Sequence, residues 1–144
     1  MPDCTVQAWN NFVMLSTPSS HERGSLLRAA AIASLYMSLA NNGGLNSFLT
    51  STNDLDASEV VDALKAVDAH LAATELEEVV QALGTALPRS SQEERWNLLD
   101  QYWTDELDDF DVLSSEADDE LLAVLGRHVR ENEAFYLSLD KTEP

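Results

Sequence analysis

The chain has 144 residues and a mass of 15.9 kDa, which is the usual size of one domain. Its 26 Asp and Glu residues against eight Lys and Arg residues give a formal net charge of −18. This charge excludes unaided binding to nucleic acid, whose phosphates need a basic patch, and it argues against docking on an anionic membrane surface. The expected partners are therefore cations or basic proteins.

Cysteine content and hydropathy bear on the compartment. The single cysteine, Cys4, cannot form an internal disulfide, which favours a reducing compartment. No lysine or arginine precedes residue 23, so the first residues do not resemble a signal peptide. The longest apolar stretch, Leu26 to Ala40, contains Arg28 and is shorter than the roughly 20 residues of a membrane span. We therefore expect a cytoplasmic protein without a membrane segment.

Hydrophobic residues recur at helical spacing from the start of the chain. A first helix is expected over residues 4–15, and its inward face is predicted to contain Val6, Trp9, Phe12 and Val13. A second helix is expected from about residue 21 to residue 41. Its central part is apolar almost all round, which is typical of a buried central helix. The Gly43-Gly44 pair is expected to end it, because glycine readily adopts the left-handed conformation of a helix C-terminus.

Three capping pairs mark further helix starts. They are Asp56 with Glu59, Ser91 with Glu94, and Ser115 with Asp118. Short turns are expected around Leu45, Phe48 and Leu49 and around Phe135, Tyr136 and Leu139. The inward residues of the later helices are predicted to be Val60, Val61, Leu64 and Val67, then Leu76, Val79, Val80, Leu83 and Leu87, then Trp96, Leu99, Trp103 and Leu107, and finally Leu121, Leu122, Leu125 and Val129.

Neither strand alternation nor an internal repeat interrupts this pattern. The sequence therefore predicts an all-α fold, a single compact domain over residues 1–144 with about seven or eight helices.

No motif assigns catalysis, a metal or a cofactor. The three histidines are far apart, and the sequence contains no H-E-x-x-H, G-x-S-x-G or phosphate-binding loop motif. Residues 109–120 place acids at positions 1, 3 and 12 of a calcium loop, but Ser114 stands where that loop requires glycine. We therefore expect a non-enzymatic protein with no cofactor and no metal.

The acidic residues are concentrated in the second half of the chain. Residues 1–72 carry a net charge of −4, whereas residues 73–144 carry −14. Residues 100–120 contain ten acids and no Lys, Arg or His. Like charges three or four residues apart on a helix cost about 0.2–0.5 kcal/mol per pair. A gain in helix stability therefore does not explain why acids cluster at residues 105–111. The acids at 116–120 lie at a helix start, where they are also expected to stabilise the helix.

A ridge of carboxylates on stiff helices presents dense negative charge, as duplex DNA does. We therefore expect these acids to stand in for phosphates and to bind the basic DNA-reading surface of a transcriptional regulator or nucleoid protein. The residues expected to do so are Asp105, Glu106, Asp108, Asp109, Asp111, Glu116, Asp118, Asp119 and Glu120.

Three alternatives stay open at this level. The chain could be an immunity or antitoxin-like inhibitor that occupies the basic cleft of a nuclease toxin. It could be a small enzyme or metal protein whose site lies under the carboxylates. The acids could also form a solvated face with no electrostatic function, as an adaptation to salt or solubility.

Several motifs resemble the acidic DNA-mimic family, a group of small all-helical bacterial proteins. Tyr36 followed by Asn42-Gly43-Gly44-Leu45-x-x-Phe48-Leu49 resembles its Asn-Gly-Gly-aromatic helix break, and Ala63-Leu64-x-x-Val67-x-Ala69 is similar to its next helix. Arg95-x-x-x-Leu99-Asp100-x-x-Trp103 is similar to its later Arg…Leu-Asp segment. The chain departs from the family at Leu45, Ser47 and Asp68, where an aromatic, Gln and Gly are usual.

This resemblance covers about residues 25–137. It implies a helical fold and a homodimer. It also implies a protein that imitates DNA and sequesters a transcriptional regulator. The shared motifs concern the helix break rather than the acidic surface, so the functional expectation depends on the carboxylates of this chain.

Overall fold

The computed structural model describes residues 5–18, 21–22, 24–51, 55–83, 92–103, 105 and 114–139. Seven helices lie in this part of the chain: α1 (Val6–Leu15), α2 (Leu26–Ser51), α3 (Ala57–Ala66), α4 (His70–Leu83), α5 (Gln92–Tyr102), α6 (Ser115–Glu131) and α7 (Glu133–Ser138). No strand occurs among the described residues, and the predicted all-α class is confirmed.

The second helix is buried at the centre of the fold, as predicted. α2 packs against α1, α3, α5 and α6, and its buried residues include Ala30, Ile32, Ala33 and Tyr36. The small alanine side chains let neighbouring helices approach the α2 backbone closely. The helix begins at Leu26 rather than near residue 21, because the Ser25 hydroxyl caps it by accepting the backbone N–H of Arg28 at 3.1 Å.

Gly44 interrupts α2 without ending it. Its φ of 81° and ψ of 175° are non-helical, and a φ in this range suits glycine because it has no Cβ. Residues 45–51 return to helical geometry, so the short turn expected around Leu45, Phe48 and Leu49 is wrong. Across the break, the rings of Tyr36 and Phe48 meet edge to face with centroids 4.9 Å apart.

The start of α3 confirms the capping role predicted for Asp56. The Asp56 carboxylate accepts the backbone N–H of Glu59 at 2.6 Å. The Glu59 carboxylate instead pairs with Arg28 of α2 at 2.9 Å, so it joins two helices. After α3, Asp68 adopts a left-handed φ of 67° and turns the chain into α4.

The face predicted for α1 is partly wrong. Phe12 is buried and Trp9 is half-buried, but Val6 and Val13 are 55% and 41% exposed. The buried face includes the polar residue Asn11, whose side-chain amide donates to the carbonyl oxygen of Tyr136 at 2.9 Å. Hydrophobicity alone did not reveal this face, because a hydrogen-bonded asparagine occupies a core position.

The face predicted for α5 is also partly wrong. Leu99 is buried and Trp103 is half-buried, but Trp96 is 55% exposed. The neighbouring Arg95 is buried in its place and is only 1% exposed. Two further expectations for this helix, its cap Ser91 and its inward Leu107, concern positions outside the described residues.

The last two helices close the core. Leu121, Leu125 and Val129 of α6 are buried, whereas Leu122 is only half-buried. The segment expected to form a closing turn is the short helix α7, and its Tyr136 is fully buried. One contiguous hydrophobic cluster contains residues from all seven helices.

Candidate functional site

The acidic start of α6 is anchored to α4 by a serine. Ser114, rather than the predicted Ser115, is the N-cap, and its hydroxyl accepts the backbone N–H of Ala117 at 3.1 Å. The same hydroxyl donates to the Glu75 carboxylate, which also accepts the Ser114 backbone N–H at 3.2 Å. Glu75 of α4 thereby holds the start of α6 in place. Because the start of α6 is fixed in this way, the carboxylates of its first turns have defined positions.

Two of the predicted site residues bind neighbouring helices. The Asp118 carboxylate accepts the side-chain amide of Asn41 at 2.8 Å, which links α6 to α2. The Glu120 carboxylate accepts the backbone N–H of Leu71 at 2.8 Å, at the N-terminus of α4, where a negative charge is favourable. These carboxylates therefore have a structural role that the sequence did not reveal.

Glu116 and Asp119 are the exposed acids of this helix start. Their spacing of three residues places the Cβ atoms about 5–6 Å apart on one face. The exposed residues Arg127 and Arg130 lie towards the other end of α6, where Glu131 is the one acid, so the acids of this helix are concentrated in its first turns. This distribution also complements the helix dipole.

The remaining five predicted residues lie between α5 and α6 in the sequence. Asp105 is exposed. Glu106, Asp108, Asp109 and Asp111 lie outside the described residues. The described part of the chain thus contains five of the nine predicted residues, and the α6 start brings four of these five together.

A second acidic surface lies on α5, and its acids were not among the predicted site residues, although Asp100 belongs to the acid-rich window of residues 100–120. Glu93 and Asp100 are exposed on this helix, on either side of the exposed Trp96 along the chain. The sequence pattern placed Trp96 in the core because it stands at helical spacing with Leu99, Trp103 and Leu107. Arg95 and Leu99, which are four residues apart and both buried, define the inner face instead.

A polar cluster connects α1, α6 and α7. The Nε2 atom of His128 is 2.7 Å from the Tyr136 hydroxyl, and the Ser16 hydroxyl is 2.7 Å from Nε2 of His21. Burial lowers the pKa of His128; the nearby Glu131 carboxylate opposes this shift, and His21 adds to it. Burial, followed by the Arg28 charge, lowers the pKa of His21. The His128 ring also packs against Phe12 of α1, and the His21 ring packs against Phe135 of α7.

A groove between α2 and α3 offers about 530 Å³. Ala29, Ile32 and Ala63 line its apolar part, and the paired Arg28 and Glu59 lie at its polar part. The Arg28 guanidinium group and the Glu59 carboxylate therefore neutralise each other at this groove.

The described residues contain neither a candidate metal site nor a candidate membrane span. Among the described residues, no group of three or more His, Cys, Asp or Glu side chains is placed to hold a metal ion. No helix within these same ranges is long and apolar enough to cross a membrane.

Comparison with known proteins identifies a family for most of the chain. The model of the family described as DMP19-like protein matches residues 25–132. This range contains α2 to α6 and leaves α1 and α7 outside, and it ends five residues before the region expected from the sequence motifs. No curated protein and no solved structure gives a significant match to the chain.

Proposed function

Because the chain belongs to the DMP19-like protein family, we propose that it is a non-enzymatic DNA mimic. It binds the basic DNA-binding surface of a transcriptional regulator or nucleoid protein in the cytoplasm and competes with DNA for that surface. The nine carboxylates identified from the sequence form the contact set. Glu116 and Asp119 are its best-placed members, because both are exposed and lie on a helix whose start is fixed.

The observation that carries this proposal is the Glu75–Ser114 contact beneath the acidic turn. An imitation of DNA needs negative charges at fixed positions, since a mobile acidic segment would lose conformational entropy on binding. Capping and anchoring at Ser114 remove part of that loss. In a chain of net charge −18, the resulting field would also attract a basic partner over long range.

The first prediction concerns competition with DNA. We expect the double variant Glu116→Gln, Asp119→Asn to displace duplex DNA from the partner about tenfold less effectively, which corresponds to about 1.4 kcal/mol. The partner would be a DNA-binding protein retained from host extract, identified and purified. Displacement would be followed as the anisotropy of a labelled duplex.

The matched control removes the same amount of charge elsewhere. Glu22→Gln, Asp62→Asn changes two exposed acids outside the predicted set and should alter displacement by less than about twofold. Equal weakening by both double variants would contradict the proposed contact set. Retention of a nuclease toxin whose cleft the chain plugs, in place of a DNA-binding regulator, would favour the immunity-protein alternative.

We further propose that the chain forms a homodimer through α1. This helix contains no charged residue, and Val6, Val13 and Met14 are exposed on it. In a strongly acidic protein, an uncharged apolar face is where two copies can meet without bringing carboxylates together. α1 lies outside the range that the family model matches.

The second prediction tests this dimer. We expect the parent chain to sediment as a dimer and Met14→Glu to sediment as a monomer, because the new carboxylate would be buried against its own copy. Thr74→Glu adds the same charge at an exposed position of α4 and should leave the dimer intact. A parent chain that sediments as a monomer, or a dimeric Met14→Glu variant, would refute the α1 interface.

A further inference from the structure

The exposed indole of Trp96 is an unusual feature of a charged surface. Trp96 lies on α5 beside the buried Arg95, and it is 55% exposed. Tryptophan is largely buried in most proteins, and it is enriched among the residues that carry the binding energy of protein interfaces. No ring contact of Trp96 occurs among the described aromatic residues. Its indole face is therefore a candidate contact for a partner.

Two carboxylates lie on the same side of α5 as the indole. Glu93 precedes Trp96 by three residues and Asp100 follows it by four, and side chains at these spacings are neighbours on a helix. Both acids are exposed. The one basic residue of α5, Arg95, is buried and donates to the Leu55 carbonyl oxygen, so it points away from this face. The indole thus lies in a region of negative charge.

This charge decides which kind of partner fits. A second copy of the chain, related by a two-fold axis through this face, would bring Glu93 and Asp100 against the same acids. A nucleic acid or an anionic membrane would be repelled as well. A cation is attracted both by the carboxylates and by the face of the indole ring. Among protein cations, the planar guanidinium group of arginine stacks on aromatic rings and binds carboxylates with two hydrogen bonds.

We propose that the Glu93–Trp96–Asp100 face of α5 binds an arginine side chain of the basic partner. The guanidinium group stacks on the indole and donates to the flanking carboxylates. This inference rests on the proposed function, since the basic partner is the same protein. It adds an aromatic contact that favours arginine over lysine, because the planar guanidinium group stacks on the indole ring.

The test uses the full-length chain with hexaarginine and hexalysine peptides as probes. Trp96→Leu should weaken hexaarginine binding about three- to fivefold and hexalysine binding less than about twofold, measured by calorimetry. Glu93→Gln, Asp100→Asn should weaken binding of both peptides, because both carry the charge that the acids attract. Hexaarginine should also shield tryptophan fluorescence of the parent chain from acrylamide, and this protection should be absent in Trp96→Leu.

Several results would overturn the proposal. One is equal affinity of the parent chain and Trp96→Leu for hexaarginine, and another is an equal loss of affinity for both peptides. The absence of detectable hexaarginine binding to the parent chain would overturn it as well. Because Trp96 is exposed, the variant should keep the parent melting temperature, which separates lost binding from lost folding.

The peptide experiment is independent of DNA competition. If the parent chain displaces no duplex DNA from a basic partner but Trp96→Leu still weakens hexaarginine binding selectively, the proposed function fails while the arginine site stands. If Glu116→Gln, Asp119→Asn displaces duplex DNA less effectively but Trp96→Leu binds both peptides as the parent chain does, only the arginine site fails.

Discussion

Replacing Arg95 with methionine is expected to lower the free energy of unfolding by about 2–3 kcal/mol. Arg95 is only 1% exposed and donates a hydrogen bond to the carbonyl oxygen of Leu55, a buried residue that lies between α2 and α3 in the chain. Methionine has a similar length but no donor. The substitution therefore leaves the Leu55 carbonyl group without this bond, and a buried unsatisfied polar group costs about 1–3 kcal/mol.

Arg127 provides a matched control for this experiment. Its side chain is 51% exposed, and it pairs with the exposed Asp68 at 3.7 Å. An exposed ion pair of this kind contributes about 0–1 kcal/mol, so Arg127→Met should be much less destabilising than Arg95→Met. Urea unfolding followed by circular dichroism at pH 7 would measure both. Similar stabilities of the two variants would show that the Arg95 contact is not important for the fold.

Acidification from pH 7 to pH 5 is expected to destabilise the junction of α1, α6 and α7 through His128. Burial holds the pKa of this histidine below its ordinary value of 6.5. The unfolded chain therefore binds a proton in this range more readily than the folded chain does. The contribution of the neutral His128 side chain to the free energy of unfolding is complete above pH 6.5. It is lost as the pH falls towards the lowered pKa. His21 contributes with the same sign, because its pKa is also lowered.

The variant His128→Gln isolates this contribution. Its amide can still bond the Tyr136 hydroxyl but does not titrate. The slope of unfolding free energy against pH should be smaller in the variant than in the parent, by at most about 1.4 kcal/mol per pH unit for one proton. The test compares the slope of the parent chain with that of His128→Gln, because acid also affects the carboxylates. Protonating carboxylates in a chain of net charge −18 relieves repulsion and raises stability, which opposes the effect of His128 in both proteins.

His70 supplies the control for the pH experiment. Its side chain is 65% exposed and lies 3.6 Å from Asp68. His70→Gln should retain the steep dependence of the parent between pH 7 and pH 5, as measured by urea unfolding at several pH values. A His128→Gln variant with the parent slope would show that another group carries the acid sensitivity.

Sequence patterns predicted the helices better than the faces that those helices bury. Apolar spacing predicted the central position of α2, and the Asp56 cap predicted the start of α3. Trp96 and Val13 were misplaced because hydrophobicity does not show which apolar residue finds a neighbouring helix. Asn11 and Arg95 were missed because polar side chains enter the core once a carbonyl group accepts their hydrogen bonds.

The candidate site divides in the same way. The density of acids in the second half of the chain was visible from the sequence, and it predicted that the partner carries positive charge. The sequence could not separate the exposed Glu116 and Asp119 from Asp118 and Glu120, because the groups that bind the latter two lie on α2 and α4. Those contacts join residues 77 and 49 positions apart in the chain.

The sequence by itself determined the helical class, the central helix and the negative charge of this protein. These properties follow from local spacing and from composition, which do not depend on how the helices meet. Tertiary structure alone decided which carboxylates stay free, which arginine is buried and which tryptophan faces solvent. Each of these depends on the distance between residues on different helices, and that distance exists only once the helices have packed.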